Sequence, residues 1–420
     1  MSKTEQTRKY LTFFRRSASR QENGASATRL PRSRHWRAGL AIAAGVALLA
    51  AAGGYAATMQ PVANRTGLSG ATASSGKTTA SSAANTSGAA ASQGSGNSAG
   101  SSGPVGPVPG SGQGGPVPPA GSSGAKGVLF GGDVPLADAE PELGRTLAIV
   151  RVYDLIGQQF MNKKVAAIMA RGSTLLVSLD TYPPHGPSYA SIAAGHEDGA
   201  IRDFLEAADQ AAIHYKLGAI YVTFEHEANN LGKHQGLGSP AQFVQAWDHV
   251  HQLAVQAHLD WNQGGRLHWA LILTHYAYLN GSISQYWPGT GEVDVVAADG
   301  YNTGGCRTAR QSHTGFKYGR TSAVSPASLF SKLVSFGAAH GRLPVFIAEW
   351  GSVPYTSPRV RVRFIQQMQA FVQANPEIRA ALYWDSQQVP CNYIVDNSPT
   401  SVAALAAMGH SPGFQGRVTS

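Results

Sequence analysis

From residue 127 onward, short apolar runs alternate with amphipathic ones. The strand-like runs fall at 127–131, 146–153, 173–180, 219–227, 267–275, 293–301, 344–349 and 378–384. Between them, an apolar period of 3.6 residues marks helices at 201–215, 241–258, 326–340 and 358–373. Several helices open on a Ser-Pro pair: Ser239-Pro240, Ser325-Pro326 and Ser357-Pro358. Serine can cap the first free amides there, and proline suits the first turn. Eight strands separated by helices or long connections predict an α/β fold, the (β/α)8 TIM barrel, over 127–410, with 411–420 as a C-terminal tail. A doubly wound open sheet shares the alternation, but no Gly-x-Gly-x-x-Gly follows the first strand.

Upstream the pattern changes twice. Residues 59–126 are mostly Ser, Gly, Ala, Thr and Pro, without an aromatic or an acid. Such a segment cannot build a core, so it reads as a disordered linker, with a root-mean-square reach of about 45 Å. Residues 38–57 carry no charge and are long enough to cross a bilayer as one helix. The span 38–58 therefore reads as a single transmembrane signal anchor. A cleaved signal peptide, giving a secreted protein, is the competing reading.

Charge fixes the expected topology. Of the 33 Lys and Arg, ten fall in residues 1–37, with two of the 24 Asp and Glu. That basic tail predicts a cytoplasmic N-terminus and an exported body. It also accounts for the formal charge of +9, so the body is nearly neutral and offers no basic groove for nucleic acid. The expected location is a bacterial plasma membrane, single-pass, with the barrel outside. The two cysteines, Cys306 and Cys391, follow predicted strand ends and suit one disulfide in an exported protein. Neither lies in a Cys-x-x-Cys pattern, so a structural zinc site is not expected.

In such a barrel, chemistry gathers at the C-terminal strand ends. Those ends here are Asp180, Glu225-His226-Glu227, His275, Asp299-Gly300-Tyr301-Asn302, Glu349-Trp350 and Trp384-Asp385. Two buried strands ending in glutamate suggest paired carboxyls facing one substrate, the arrangement that cleaves glycosidic bonds. Period-two alternation would point Val345, Ile347 and Glu349 the same way, into the barrel. The same alternation sets Glu225 beside Glu227 as a rival and sends His226 toward the helices, so it leaves the choice open.

His226-Glu227-Ala228-Asn229 resembles the His-Glu-x-Asn signature of glycoside hydrolase family 26. Tyr286-Trp287-Pro288-Gly289, Val293-Asp294-Val295-Val296 and Asp299-Gly300-Tyr301-Asn302 resemble that family's sixth-strand region, and Ile347-Ala348-Glu349-Trp350-Gly351 is similar to its nucleophile strand. Gly195 and Asp198 also fit, and the likeness spans 127–400. The resemblance implies a retaining β-glycanase, by default an endo-β-1,4-mannanase, with Glu227 as acid/base and Glu349 as nucleophile. It implies that His226 contacts the substrate or steadies the acid, that Tyr301 hydrogen-bonds the nucleophile and that Trp384 forms the floor beneath the sugar; Asn229, His275 and Trp350, at or beside strand ends, are read as further substrate contacts. No cofactor or metal is expected; the partner is a polysaccharide or oligosaccharide, and the protein is expected to be a monomer. A glycan-binding, wall-associated protein without catalysis, on the same barrel, is the alternative. The chain departs from the family at Thr223, where Arg is usual, at Leu231, where a Trp is missing, and at the fifth-strand ending. These departures fall at substrate-contact positions.

Overall fold

A computed structural model describes residues 127–418, apart from 161, 182–185, 307–317, 320 and 389–390. The expected tail, anchor and linker of residues 1–126 lie outside the described residues. Among those described, no helix is long and apolar enough to cross a membrane.

The strands are β1 (Leu129–Asp133), β2 (Ile149–Leu155), β3 (Thr174–Asp180), β4 (Ile220–Phe224), β5 (Leu267–Thr274), β6 (Val295–Asn302), β7 (Val345–Ser352) and β8 (Ile378–Tyr383). They pair in chain order, all parallel, and β8 returns onto β1 to close the barrel. Longer helices pack outside: α1 (Lys163–Ala170), α2 (Asp198–His214), α3 (Pro240–Gln256), α4 (His275–Asn280), α5 (Pro326–Ala339), α6 (Pro358–Ala374) and α7 (Pro399–His410). Ser239 forms a full capping box with Gln242, and Ser325 caps α5 through the Ser328 amide. Such a cap contributes about 1 kcal/mol. Ser357 makes no side-chain cap.

Two apolar layers follow from strand alternation. Phe130, Val150, Val177, Val222, Leu271 and Ile347 join the helices in the outer core. Leu129, Ile149, Leu176, Tyr221, Ile272, Phe346 and Leu382 form a separate inner cluster. Val418 belongs to that inner cluster, and Phe414 sets its ring edge-on to Phe130 at 6.2 Å. Val128 exchanges backbone hydrogen bonds with Gly413 and Gly416, at 2.8 and 3.1 Å. Residues 411–418 are therefore part of the barrel, where the sequence suggested a tail.

Candidate active site

The two glutamates reach the barrel mouth by different irregularities. On β7, Phe346 and Ala348 belong to the inner cluster and Val345 and Ile347 to the outer one. Plain alternation would then send Glu349 outward. Pairing with β6 slips, however: Ala298 faces Ile347, and Asp299 faces Glu349. Toward β8 the same stretch advances three positions, from Ile347 to Trp350, against two, from Ala381 to Tyr383. The extra residue is a β-bulge, which re-aims the side chains after it. Glu349 turns inward and Trp350 outward. The sequence-based alignment of Val345, Ile347 and Glu349 on one face is thus corrected. Trp350 is 0% exposed and packs on Tyr383 and Phe364, with centroids 5.0 and 6.3 Å away. It anchors β7 to α6 and has no surface to offer a sugar.

On β4 the strand stops at Phe224, before the acids. Glu225 and Glu227 both take positive φ, 55° and 57°. A non-glycine residue there costs roughly 1–2 kcal/mol, and the twist breaks the period-two rule. Backbone bonds hold the kink: Glu225 N–H donates to Leu179 O on β3, and Glu227 N–H to Ile272 O on β5. Glu225 is consequently 1% exposed, accepting from the Thr181 amide and pairing with His234 Nδ1 at 2.9 Å. His226 swings into the mouth, opposite to the plain alternation, and Glu227 is half-buried.

Glu349 sits at the centre of a donor set and is 4% exposed. Tyr153 donates its hydroxyl to Oε1 and Tyr301 to Oε2. Arg151 Nε lies 3.6 Å and His226 Nε2 3.5 Å from Oε1. Arg151 is itself fixed by Leu176 O at 3.1 Å and Ser178 Oγ at 2.6 Å, with its guanidinium 4.5 Å from the Tyr153 ring centre. Burial pushes the Glu349 carboxyl up to about 8; Arg151 opposes the rise, and Asp133 adds to it. Asp133 in turn is raised to about 7 by burial and by Asp385, although the Ser386 hydroxyl and two amides bind it.

Asp299, on β6, is buried and hydrogen-bonded to His226 Nε2. Burial, then the nearby Glu227 charge, raise its carboxyl well above the usual range. Glu227 thus acts on Asp299 from one side, while His226 joins Asp299 to Glu349 on the other. Glu227 Oε2 accepts from Asn230 Nδ2 at 3.1 Å. Asn229 spends its amide on Thr274, through two hydrogen bonds of 2.6 and 2.9 Å that tie the end of β4 to β5. His226, Asp299 and Glu349 hold potential ligand atoms within 4.8 Å of one another. Two fixed cations stand against a metal there: Lys233 on His226 Nδ1 at 2.8 Å, and Arg151 beside Glu349.

The remaining expected contacts divide. Trp384 meets Tyr153 edge-on at 5.9 Å, and Tyr301 lies against Tyr393 at 4.8 Å. Both rings therefore border the Glu349 site. His275 opens α4, and its Nδ1 bonds the Asp299 carbonyl at 3.1 Å. A Cβ on Gly300 would meet Phe330 at 2.9 Å and the His275 ring at 3.4 Å, which places this histidine with the α5 packing on the helix side of β6. The expected sugar contact from His275 is corrected accordingly. Cys306 and Cys391 are joined, with Cα atoms 5.5 Å apart, linking the loop after β6 to the β9–β10 hairpin (Gln387–Gln388 and Cys391–Asn392). Arg151, Tyr153 and Lys233 went unnoticed in the sequence. For the first two a signal existed: they occupy inner positions near the end of β2, in step with Ile149.

No protein-family model matches the chain, and no curated protein matches its sequence. Solved structures do match. A modular endo-β-1,4-mannanase from Cellulomonas fimi, of glycoside hydrolase family 26, aligns with TM-score 0.50 at 14% identity, covering 68% of this chain and 71% of that one. The catalytic domain of a family 26 endo-β-1,4-mannanase from Bacillus sp. JAMB-750 aligns with TM-score 0.49 at 12% identity, over 69% and 87%. A family 26 β-mannanase from Bacteroides ovatus gives 0.46 at 14%, over 69% and 90%. At such identities the likeness is one of architecture, and the chain has a (β/α)8 barrel like that of glycoside hydrolase family 26.

Proposed function

We propose that the protein is a retaining β-glycoside hydrolase, with Glu349 as nucleophile and Glu227 as general acid/base. One observation carries this reading: a buried carboxyl on β7, gripped by two phenol hydroxyls and a guanidinium, shares the barrel mouth with a half-buried carboxyl after β4 whose charge reaches Asp299, on the strand next to β7. Retention requires the two carboxyl groups about 5–5.5 Å apart across the scissile bond. Ionised Glu349 attacks the anomeric carbon, while protonated Glu227 gives its proton to the leaving oxygen. Water then enters, loses a proton to Glu227, and releases the sugar from Glu349. The hydroxyls of Tyr153 and Tyr301 and the Arg151 charge favour the ionised nucleophile against its burial. Ester formation removes that charge and lets Glu227 act as a base in the second step. Trp384 and Tyr301 supply apolar rings beside the reacting sugar.

The finer reading is an endo-acting enzyme on β-1,4-mannan, with other β-linked glucans or xylans next in line because of Thr223 and Leu231. Leu231 is 72% exposed on the loop that follows Glu227, a place where a ring would add a stacking surface. The wider reading keeps residues 38–58 as a bacterial plasma-membrane anchor and 59–126 as the tether of a monomeric outer barrel. A glycan-binding protein without catalysis draws on one observation, the Glu349 carboxyl held near 8, which leaves it largely protonated at neutral pH. Release of reducing ends from mannan, glucan and xylan, with Glu349→Gln and Glu227→Gln alongside, decides between them. Hydrolysis by the parent protein alone supports the enzyme; glycan binding without new reducing ends overturns it.

A further inference from the structure

The loop after β4 folds back on the residues that begin it. Asn230 N–H donates to Glu227 O at 2.7 Å, Lys233 N–H to Asn230 O at 2.9 Å, and Leu237 N–H to His234 O at 3.2 Å. Tyr189 N–H then holds the loop's end at Leu237 O, 2.8 Å away. The result is a reversed pairing of side chains. Asn230 serves Glu227, Lys233 serves His226, and His234 serves Glu225. Asn230 completes an ordinary hydrogen bond to a carboxylate oxygen, and His234 stands against the Glu225 carboxylate. Lys233 lies 4.0 Å from the Asp180 carboxylate, but its nearest side-chain partner is His226, in the middle of the site.

The chemistry of that contact is restrictive. An ammonium has three N–H donors and no acceptor. Lys233 Nζ lies 2.8 Å from His226 Nδ1 and 3.1 Å from the His226 carbonyl. Nδ1 must accept, so the ring proton sits on Nε2. That nitrogen faces the Asp299 carboxyl and lies 3.5 Å from Glu349 Oε1. The backbone supports the same pose, since Asp180 Oδ1 accepts the His226 amide at 2.9 Å and His234 Nε2 meets the His226 carbonyl at 2.9 Å. The charged and titratable groups around the ring are Lys233, His234 and Glu227 from its own loop, Asp180 from β3, Arg151 and Tyr153 from β2, Asp299 from β6 and Glu349 from β7.

We infer that Lys233 is a positioning residue: it holds His226 in one neutral tautomer, with the only ring proton directed at Asp299 and Glu349. This rests on the glycosidase reading for its purpose but not for its geometry. A neutral donor steadies both carboxyls. An imidazolium 3.5 Å from Glu349 would instead form an ion pair with the nucleophile and hold back its lone pair. The lysine thus spares the attacking charge while keeping the ring oriented. It touches no substrate and acts through His226.

The test is imidazole 15N NMR on the full chain, with the His226 signals assigned by their loss in His226→Asn. The expected parent spectrum shows the Nε2–H tautomer and no titration between about pH 5 and 8, where an ordinary imidazole changes state. In Lys233→Met one of the groups that hold the ring neutral is gone, so the ring should titrate at a higher pH than in the parent, with some Nδ1–H form present. Lys233→Gln keeps a neutral donor to Nδ1, so the tautomer should persist while the ring's titration moves to higher pH than in the parent. If either variant leaves tautomer and titration as in the parent, the proposal is overturned. Using both variants also covers a failure of the methionine form to fold. Absence of hydrolysis in every variant, with the spectra changing as expected, would count against the glycosidase reading alone.

Discussion

The ends of β4 and β7 each present a glutamate to the barrel mouth, yet they do so by unlike means. β7 stays a strand through Ser352 and inserts one residue, so Glu349 changes face while remaining locked in the sheet. β4 gives up strand geometry after Phe224 and uses two left-handed residues, leaving Glu227 in a turn. The rigid end holds a buried carboxyl with donors on both oxygens. The kinked end holds a half-buried one whose Oε2 accepts from the Asn230 amide. A nucleophile needs fixed aim and an acid/base needs access to water, and the two backbones differ in that sense.

The comparison breaks most directly at the carboxyls. Glu349→Gln and Glu227→Gln should each lower hydrolysis by on the order of a thousandfold or more, read as kcat on the best substrate. Glu225→Gln should separate the kinked end's support from its chemistry. It removes one member of a buried pair with His234, so unfolding in urea should show a loss of about 3 kcal/mol. Hydrolysis per folded molecule should stay within about threefold. If the Glu225 variant alone loses activity, the β4 assignment is wrong.

Smaller effects sharpen the same contrast. The disulfide ties the loop after β6 to the hairpin that carries Tyr393 against Tyr301. The paired change Cys306→Ser and Cys391→Ser should lower stability by about 2 kcal/mol. Rates are the finer probe of the rigid end. On the proposed mechanism Glu349 must be ionised to attack, so kcat/KM should rise with pH along a limb reaching toward about 8. Arg151 favours the charged carboxylate, so Arg151→Met should move that limb upward by about one pH unit. A limb that stays in place would mean Arg151 does not act on Glu349.

Much of this was legible before any coordinates. Apolar runs locate all eight strands, because a strand buried on both faces must be nearly continuously apolar. Glu349 and Glu227 were singled out as strand-end acids, although the parity argument for Glu349 reached the right face for a wrong reason. The bulge at Ala348 depends on how β6 and β7 register, and no local pattern reports that. The kink at Glu225 and Glu227 likewise needs neighbours, Leu179 and Ile272, to hold it. Trp350 and His275 looked like site residues by adjacency alone, and packing against α6 and α5 claims them. Lys233 leaves no signal, since its partner lies seven residues back through a chain of turns.

The most direct test is mass spectrometry of the protein after reaction with a fluorinated glycoside that forms the glycosyl-enzyme and hydrolyses slowly. The account predicts one sugar attached to the peptide containing Glu349, and none in Glu349→Gln. A sugar on the peptide of Glu227, or turnover with no covalent adduct on any carboxyl, would contradict it.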